Sequence, residues 1–468
     1  MRAASAGAVA GILGLVAAGL GQPPALPPLV APPAAAPAAT KADIAVPPDP
    51  AVAALIRNLG ADDYRVREKA GRDLEVVGDK ALTHLRKALA ETDSPEVARR
   101  LSVLVRKVEY DRLVNPRRVT MPTKNRTAKE AFDEIARQTG YRIEYQGNGP
   151  AGDAKYPVGF DNTPFWQAMD TLADLVGGNV TNNGFEDDTL AVHAFGQSAR
   201  TPFVAYAGPF KVVATNVQLS RSLQLTGTDP RGVAFLRPSE SVHVMFNLFS
   251  EPKNPLLGMS GQPVVVTAED DLGQSMAPPQ NQPFGGRTAY YGGGAYRSFN
   301  LSGNLFLTRG GREARALRTL KAKVEVNLLS GVVPEVTVRD PLKAKNLKQT
   351  GRTLEVEVES ATGQNGSYTV SLTVRKLGGQ NPNFPDYNWS NSIWQKVELI
   401  DEKGNKYRNF GPNNMNQNPG WVSMTLPFQA TDRRGMPQKY GPPVRLVVNE
   451  WVQATHEVTF EFRDVPLP

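Results

Sequence analysis

The chain has 468 residues, of which 40% are hydrophobic and 21% are charged. This composition is typical of a globular protein, and the length predicts about three folded units at roughly 150 residues each. The absence of cysteine excludes disulfides, thiolate metal sites and thiol nucleophiles, and the net charge of +7 is too small for this length to indicate a nucleic-acid partner.

The N-terminal residues are predicted to be an export signal followed by a spacer. Arg2 supplies one positive charge, and residues 8–20 form an apolar run of signal-peptide length that ends among small residues. We therefore predict a signal peptide at 1–21 and an extracytoplasmic location, in the periplasm or at the cell surface; an uncleaved anchor is the alternative. Residues 22–50 are rich in Pro and Ala, which predicts a disordered linker. No further segment is predicted to cross a membrane.

Residues 51–114 show the apolar periodicity of short helices. Asp62 and Asp63 can cap one helix, Gly78 can end it, and Ser94 followed by Pro95 can begin another. The stretch DDYRVREKAGRDLEVVG, which leads into a further helix, resembles HEAT-type helical repeats. This resemblance implies stacked helix pairs that bury one shared face and offer the other to partners.

Residues 115–196 predict the order strand, helix, strand, strand, helix, strand. Thr127 can cap the first helix, Gly140 can end it, and Thr163 with Pro164 can begin the second. The stretches TAKEAFDEIARQTGYRIEY and PVGFDNTPFWQAMDTLADLVG resemble the short N-terminal domain of secretins and TonB-dependent signalling receptors. This resemblance implies a non-catalytic βαββα unit that mediates protein contacts within the envelope.

The rest of the chain alternates apolar and polar residues with a period of two, as strands do. One predicted strand covers 321–329. The predicted strands are more numerous than a single sandwich holds, and a break at Arg339–Leu342 divides them into two groups. We therefore predict two antiparallel β-sandwich domains, at 197–341 and 342–468. The predicted fold class is multidomain α+β, with a small all-α HEAT-like repeat, a βαββα secretin-type domain and two antiparallel β-sandwiches.

Few residues are suited to catalysis or to holding a metal. The sequence has 4 His and lacks the motifs GxxxxGK, HExxH and GxSxG. One SxxK sequence, Ser250 to Lys253, contains Pro252 and leaves a strand instead of forming a helical turn. The acidic stretches 269–271 and 401–402 are predicted to be hairpin turns, with calcium binding as the alternative. We therefore predict no enzymatic activity, no metal and no cofactor.

A basic patch is the first candidate binding site. Four cations lie before and along a predicted strand: Arg312, Arg315, Arg318 and Lys321. Such a patch would attract an anionic partner or envelope polymer, and the alternative is a solvated strand face.

Aromatic residues near the C-terminus are the second candidate. The loop NPNFPDYNWSNSIW contains Tyr387, Trp389 and Trp394 beside several Asn residues, a combination that suits sugar rings or peptide partners. Trp394 shares strand parity with Lys396 and Glu398, which predicts an exposed ring. The alternative is that these rings cap the end of a sandwich.

These features predict a non-catalytic cell-envelope protein that mediates protein–protein interaction or assembly, with an envelope protein as its partner. The alternative is a carbohydrate- or peptidoglycan-binding protein that holds cell-wall polysaccharide with its C-terminal aromatic loops. A third hypothesis, an enzyme with an unrecognised site, would require carboxylates that converge in a deep cleft.

Overall fold

A computed structural model gives the fold of most of the chain. It contains both helices and strands, and strands in several antiparallel sheets predominate, as expected for an α+β protein. The predicted signal peptide and almost all of the predicted linker lie outside the described residues. The structure describes residues 49–147, 154–182, 189–194, 201–228, 234–278, 296–309, 313–378, 388–432 and 435–468.

Four helices form the N-terminal part of the described chain. They are α1 (Pro50–Asn58), α2 (Tyr64–Val77), α3 (Leu82–Glu91) and α4 (Pro95–Val114). The predicted caps form: the Asp63 carboxylate accepts a hydrogen bond from the Arg65 N–H at 2.7 Å, and the Ser94 hydroxyl accepts one from the Val97 N–H. Leucines on α2, α3 and α4 are buried in one shared core.

The next unit contains two helices and two small sheets. Its elements are β1 (Arg118–Thr127), α5 (Ala128–Thr139), β2 (Arg142–Gln146), β3 (Lys155–Pro164), α6 (Phe165–Leu175), β4 (Asn179–Asn182) and β5 (Thr189–His193). Strand β1 pairs antiparallel with β3, while β5 pairs parallel with β2 and antiparallel with β4. The short polar strand β4 was not predicted, because its sequence NVTN has no apolar alternation. We call residues 118–193 the α/β unit.

Helix α5 begins at a capping box. The Thr127 hydroxyl accepts from the Glu130 N–H at 3.2 Å, and the Glu130 carboxylate accepts from the Thr127 N–H at 2.9 Å. Replacing Thr127 with Ala leaves an N–H of the first turn without its acceptor and should cost about 1 kcal/mol. Hydrogen exchange should show faster exchange at the start of α5. Unchanged exchange there would contradict this role of the cap.

The remaining strands form three larger antiparallel sheets. Their orders are β10–β12–β20–β16 with β9 beside β12, β11–β8–β7–β6, and β13–β14–β15–β19–β17 with β18 beside β19. The strands are β6 (Val204–Ala207), β7 (Phe210–Thr228), β8 (Ala234–Ser250), β9 (Leu256–Met259), β10 (Val264–Asp270), β11 (Asn300–Thr308), β12 (Ala316–Arg339), β13 (Lys345–Thr350), β14 (Leu354–Gln364), β15 (Ser367–Lys376), β16 (Val397–Asp401), β17 (Arg408–Asn409), β18 (Asn414–Asn418), β19 (Trp421–Gln429) and β20 (Pro443–Pro466).

Two sheet-on-sheet cores share the long strands β12 and β20. The first core packs β7, β8 and β11 against residues 317–328 of β12 and 458–465 of β20. The second packs β14, β15 and β19 against residues 336–338 and 446–448 of the same two strands. The two cores are therefore not divided at the predicted boundary, residue 341. The C-terminal end of β12, before this boundary, contributes to the second core, and the C-terminal end of β20, after it, contributes to the first.

Candidate protein-interaction surface

The α/β unit meets the first core at a buried carboxylate, Glu251, which directly follows β8. This carboxylate accepts hydrogen bonds from the Arg117 backbone N–H at 3.0 and 3.1 Å and from the Tyr141 hydroxyl at 2.6 Å. The Lys253 ammonium lies 3.8 Å from it. Its two hydrogen-bond donors come from the segment after α4 and from the α/β unit, so Glu251 ties both of these parts to the chain that follows β8.

The same segment fixes the C-terminal end of α4. The Lys253 ammonium donates to two main-chain carbonyls at this end, and the Asn254 amide donates to the Leu113 carbonyl. The last carbonyls of a helix lack partners within the helix, so these side chains satisfy them. The Tyr110 hydroxyl also forms a hydrogen bond with His456 Nδ1 of β20 at 2.8 Å. Helix α4 is therefore held in one orientation against the first core.

Burial shifts the proton affinities at this junction. It raises the pKa of Glu251 to about 7 and lowers the pKa of Lys253 to about 8, since an environment with little water disfavours the charged form of each group. Burial also raises the pKa of the Tyr141 hydroxyl, which keeps this group protonated as a donor. The charge on the Glu251–Lys253 pair therefore changes near neutral pH.

A second buried carboxylate, Asp170 on α6, joins the α/β unit to the sheet that contains β6 and β7. It accepts from the Lys211 ammonium and the Tyr206 hydroxyl at 2.6 and 2.7 Å. The Lys211 ammonium also lies 5.5 Å from the ring centroid of Trp166, whose indole N–H donates to the Pro209 carbonyl at 3.1 Å. These contacts seat α6 on β6 and β7.

Helices α2 and α4 lie side by side and run in the same direction. Two salt bridges show this: Arg100 pairs with Glu68 at 2.9 Å, and Lys107 pairs with Glu75 at 2.5 Å. Both pairs join residues 32 positions apart, and this constant offset requires parallel helices in fixed register. Residues 71 and 103 are separated by the same offset and fall between the two bridges, so they lie at the same level.

The outward surface of these two helices combines cations with exposed valines. The side chain of Val76 is 87% exposed and that of Val103 is 52% exposed. No carboxylate among the described residues lies within salt-bridge distance of the exposed cations on this surface. We call this surface the α2–α4 face and define it by its exposed side chains: Arg65, Lys69, Arg72, Val76, Arg99, Val103 and Arg106.

A groove of about 420 Å³ runs between the same two helices. Its lining includes Gly71 and Arg72 of α2 and Arg99 and Val103 of α4. Three acidic residues also line it, and each pairs with a cation of α4: Glu68, Glu75 and Glu96. A side chain added at Gly71 would meet no atom within 4 Å. The α2–α4 face is therefore a basic surface with an unfilled hollow beside Val103. The helical periodicity predicts an outward face on these helices, but the groove depends on how α2 and α4 pack together, which periodicity alone does not give.

The predicted basic patch lies on a face of mixed charge. Arg312 is outside the described residues. Arg315 directly precedes β12, Arg318 and Lys321 lie at the beginning of this strand, and all three are exposed. Lys321 lies opposite Glu461 of β20, and the next lysine on that side of β12 forms a salt bridge with Glu457 at 2.9 Å. Alternating opposite charges across two strands are typical of a solvated sheet face, which supports the alternative interpretation of this patch.

The aromatic candidates are partly buried where the structure describes them. Tyr387 lies outside the described residues. Trp389 packs against the second core and donates its indole N–H to the Pro419 carbonyl at 2.8 Å. Trp394 also packs against this core, within a 3₁₀ helix at Ile393–Lys396. The parity argument for Trp394 was wrong because the strand begins only at Val397.

The carboxylates in the two acidic turns accept hydrogen bonds from backbone N–H groups. Asp401 accepts from the N–H groups of Asn405 and Gly441 at 2.8 and 3.1 Å, and Asp270 accepts from the N–H of Gln274 at 2.7 Å. These carboxylates therefore close hairpins, as the turn interpretation predicts. In the part of the chain that the structure describes, no cluster of His, Asp and Glu could hold a metal ion.

Comparisons with known proteins do not identify the chain. No protein-family model matches it, and no curated protein or solved structure matches it either. Among the described residues, no helix has both the length and the apolar character needed to cross a bilayer.

Proposed function

We propose that this protein is a non-catalytic assembly protein of the cell envelope that binds a protein partner through the α2–α4 face. The predicted signal peptide at 1–21 would place it outside the cytoplasm. The HEAT-like repeat resemblance of residues 51–114 is consistent with a helical unit that presents one face to partners.

One observation carries this proposal: the α2–α4 face exposes apolar side chains and unbridged cations on helices that are fixed in orientation. Val103 lies between the rows of cations on α2 and α4, and Val76 lies at one end of them. Covering these exposed apolar side chains with a partner is favourable because it removes them from water. The contacts of Glu251 and Tyr110 hold α4 against the sandwich, so binding would cost little further ordering of the helices.

Site-specific photo-crosslinking in native envelopes tests the proposal. A photoreactive residue at Val103 should yield discrete protein adducts, because this side chain lies at the centre of the proposed contact. The same residue at Val332 of β12 is a matched control, since the two valines are 52% and 48% exposed. Adducts should be at least tenfold more abundant from Val103.

Two outcomes would overturn the proposal. One is an adduct yield from Val103 no greater than that from Val332. The other is retention of the full chain on purified wall polysaccharide that is lost when Tyr387 and Trp389 are replaced with Ala. The second result would instead support the carbohydrate-binding function.

A further inference from the structure

We infer that the occupant of the α2–α4 face is an acidic protein segment that carries at least one large apolar side chain, which enters the hollow at Gly71. The inference rests on the proposed function and specifies the chemistry of the partner. The positive charge of the face indicates an acidic occupant, and the hollow at Gly71 indicates that this occupant carries an apolar side chain.

The charge argument comes from the distribution of ion pairs. Three acidic side chains line the groove between α2 and α4, and all three are already paired. Arg100 binds both Glu68 and Glu96, and Lys107 binds Glu75. The five exposed cations of the face thus have no carboxylate within salt-bridge distance among the described residues. An acidic segment would complement this field and would be steered to it from a distance.

The spacing of the cations fits an elongated partner. Arg65, Lys69 and Arg72 recur every three to four residues along one side of α2 and therefore form a stripe parallel to the helix axis. The stripe spans roughly 10 Å at 1.5 Å per residue. Arg99 and Arg106 form a similar stripe on α4. Two parallel rows of cations on either side of a groove suit a single acidic segment that lies along it.

The apolar anchor follows from the hollow between the helices. Gly71 and Val103 lie at the same level, and the position of a Cβ on Gly71 is open. A polyanion alone would leave Val103 and Val76 exposed to water. A Leu-sized side chain in the hollow would cover Val103 and remove roughly 100 Å² or more of apolar surface from water.

Replacing Gly71 with a larger residue should fill the hollow without destabilising the fold. Gly71 lies inside α2 with no neighbour within 4 Å of an added Cβ, and Leu has a higher helix propensity than Gly. Gly71→Leu should therefore leave the thermal stability unchanged or raised while it fills the hollow. Thr83→Leu, at an exposed position of α3, is the control for an added surface leucine.

The binding test uses a labelled synthetic helix-forming peptide with Glu at most positions and Leu at i, i+4 and i+7. Fluorescence anisotropy with the full chain should show binding that weakens at least tenfold in Gly71→Leu and is unchanged in Thr83→Leu. The charge-reversed variant Arg72→Glu/Arg99→Glu should lose at least tenfold, whereas Lys345→Glu/Lys439→Glu, with the same change in net charge, should not. Binding should also weaken as salt rises from about 50 to 300 mM.

Comparison ligands decide between this occupant and a polyanion of another kind. The same peptide with Leu replaced by Ser, polygalacturonate, and vesicles of phosphatidylglycerol should each bind at least tenfold more weakly. Equal binding of any of these, or an unaffected Gly71→Leu variant, would overturn the inference. If Val103 yields protein adducts but the acidic peptide does not bind, the identity of the partner is wrong while the assembly function stands. If Val103 yields no adducts, the proposed function itself fails.

Discussion

Above a pH of about 7, where the Glu251 carboxyl is ionised, replacing Glu251 with Ala is expected to lower the free energy of unfolding by about 3–5 kcal/mol, because one partner of a buried charged network is removed. The Arg117 N–H and the Tyr141 hydroxyl would lose their acceptor, and the Lys253 ammonium would lose its counter-charge. Urea unfolding of the full chain measures the loss. Hydrogen exchange should also become faster at the C-terminal end of α4, where Lys253 and Asn254 dock.

The pH dependence of the free energy of unfolding distinguishes an ionisable role of Glu251 from a contribution of packing alone. A carboxyl whose pKa rises from its usual 4.5 to about 7 on folding binds more protons in the folded state between these pH values. The stability that comes from this raised proton affinity is therefore complete below pH 4.5 and is lost as pH rises through about 7. Glu251→Gln keeps an acceptor oxygen but cannot ionise, so it should flatten this part of the stability profile.

The control for this prediction is an exposed salt bridge. Glu457→Ala removes the partner of Lys323, and both side chains are more than two-fifths exposed, so the cost should stay below about 1 kcal/mol. A loss in Glu251→Ala no larger than that in Glu457→Ala would show that Glu251 does not hold the junction.

Local signals in the sequence predicted much of the secondary structure. The helix caps at Asp63, Ser94 and Thr127 form, because a capping side chain needs only backbone groups two or three residues away. The acidic turns predicted at DDLGQ and DEKGN also form. Asp432 and Met436 are joined in the same way: Gly273, Gly404 and Gly435 all have positive φ, and in each case the Asp side chain accepts from the N–H four residues later.

The long strand β12 shows where local signals mislead. The predicted strand ended at Leu329, because Gly331 and Pro334 are usual signs of a turn. The structure instead continues pairing to β20 and absorbs two single-residue register shifts, one between Leu329 and Gly331 and one between Pro334 and Val336. Pairing with another complete strand outweighs the local preference, and β20 lies more than a hundred residues away in sequence.

The candidate surface could be predicted only in part. The helices of residues 51–114 and an outward face on them follow from periodicity, but the parallel register of α2 and α4 depends on contacts between residues 32 positions apart. The junction at Glu251 depends on still longer separations, 134 residues to Arg117 and 110 to Tyr141. The SxxK sequence that includes Glu251 was not predicted to be catalytic, and nothing local in it indicated a structural role. Its buried acid and lysine contact the end of α4 and the α/β unit.

The second large effect is expected at Asp170, where removal of the carboxylate should weaken the contact of α6 with β6 and β7. Its side chain and that of Lys211 are only 9% and 15% exposed, so Asp170→Ala would remove the counter-charge of a buried ammonium and the hydrogen bond that Asp170 accepts from the Tyr206 hydroxyl. We expect a loss of about 3–5 kcal/mol, measured by urea unfolding, with faster hydrogen exchange in α6.

The matched control for Asp170 is Asp133→Ala on α5. Asp133 forms a salt bridge with Lys129 at the same 2.6 Å, but the two side chains are 58% and 70% exposed, so the expected cost is at most about 0.5 kcal/mol. Equal effects of the two substitutions would contradict the buried anchor. Asp170→Ala should also leave the level of photo-crosslinking from Val103 unchanged, because the contacts of α4 with Lys253 and His456 do not pass through α6. The orientation of the α2–α4 face therefore depends on Glu251 and its neighbours, and that of α6 depends on Asp170.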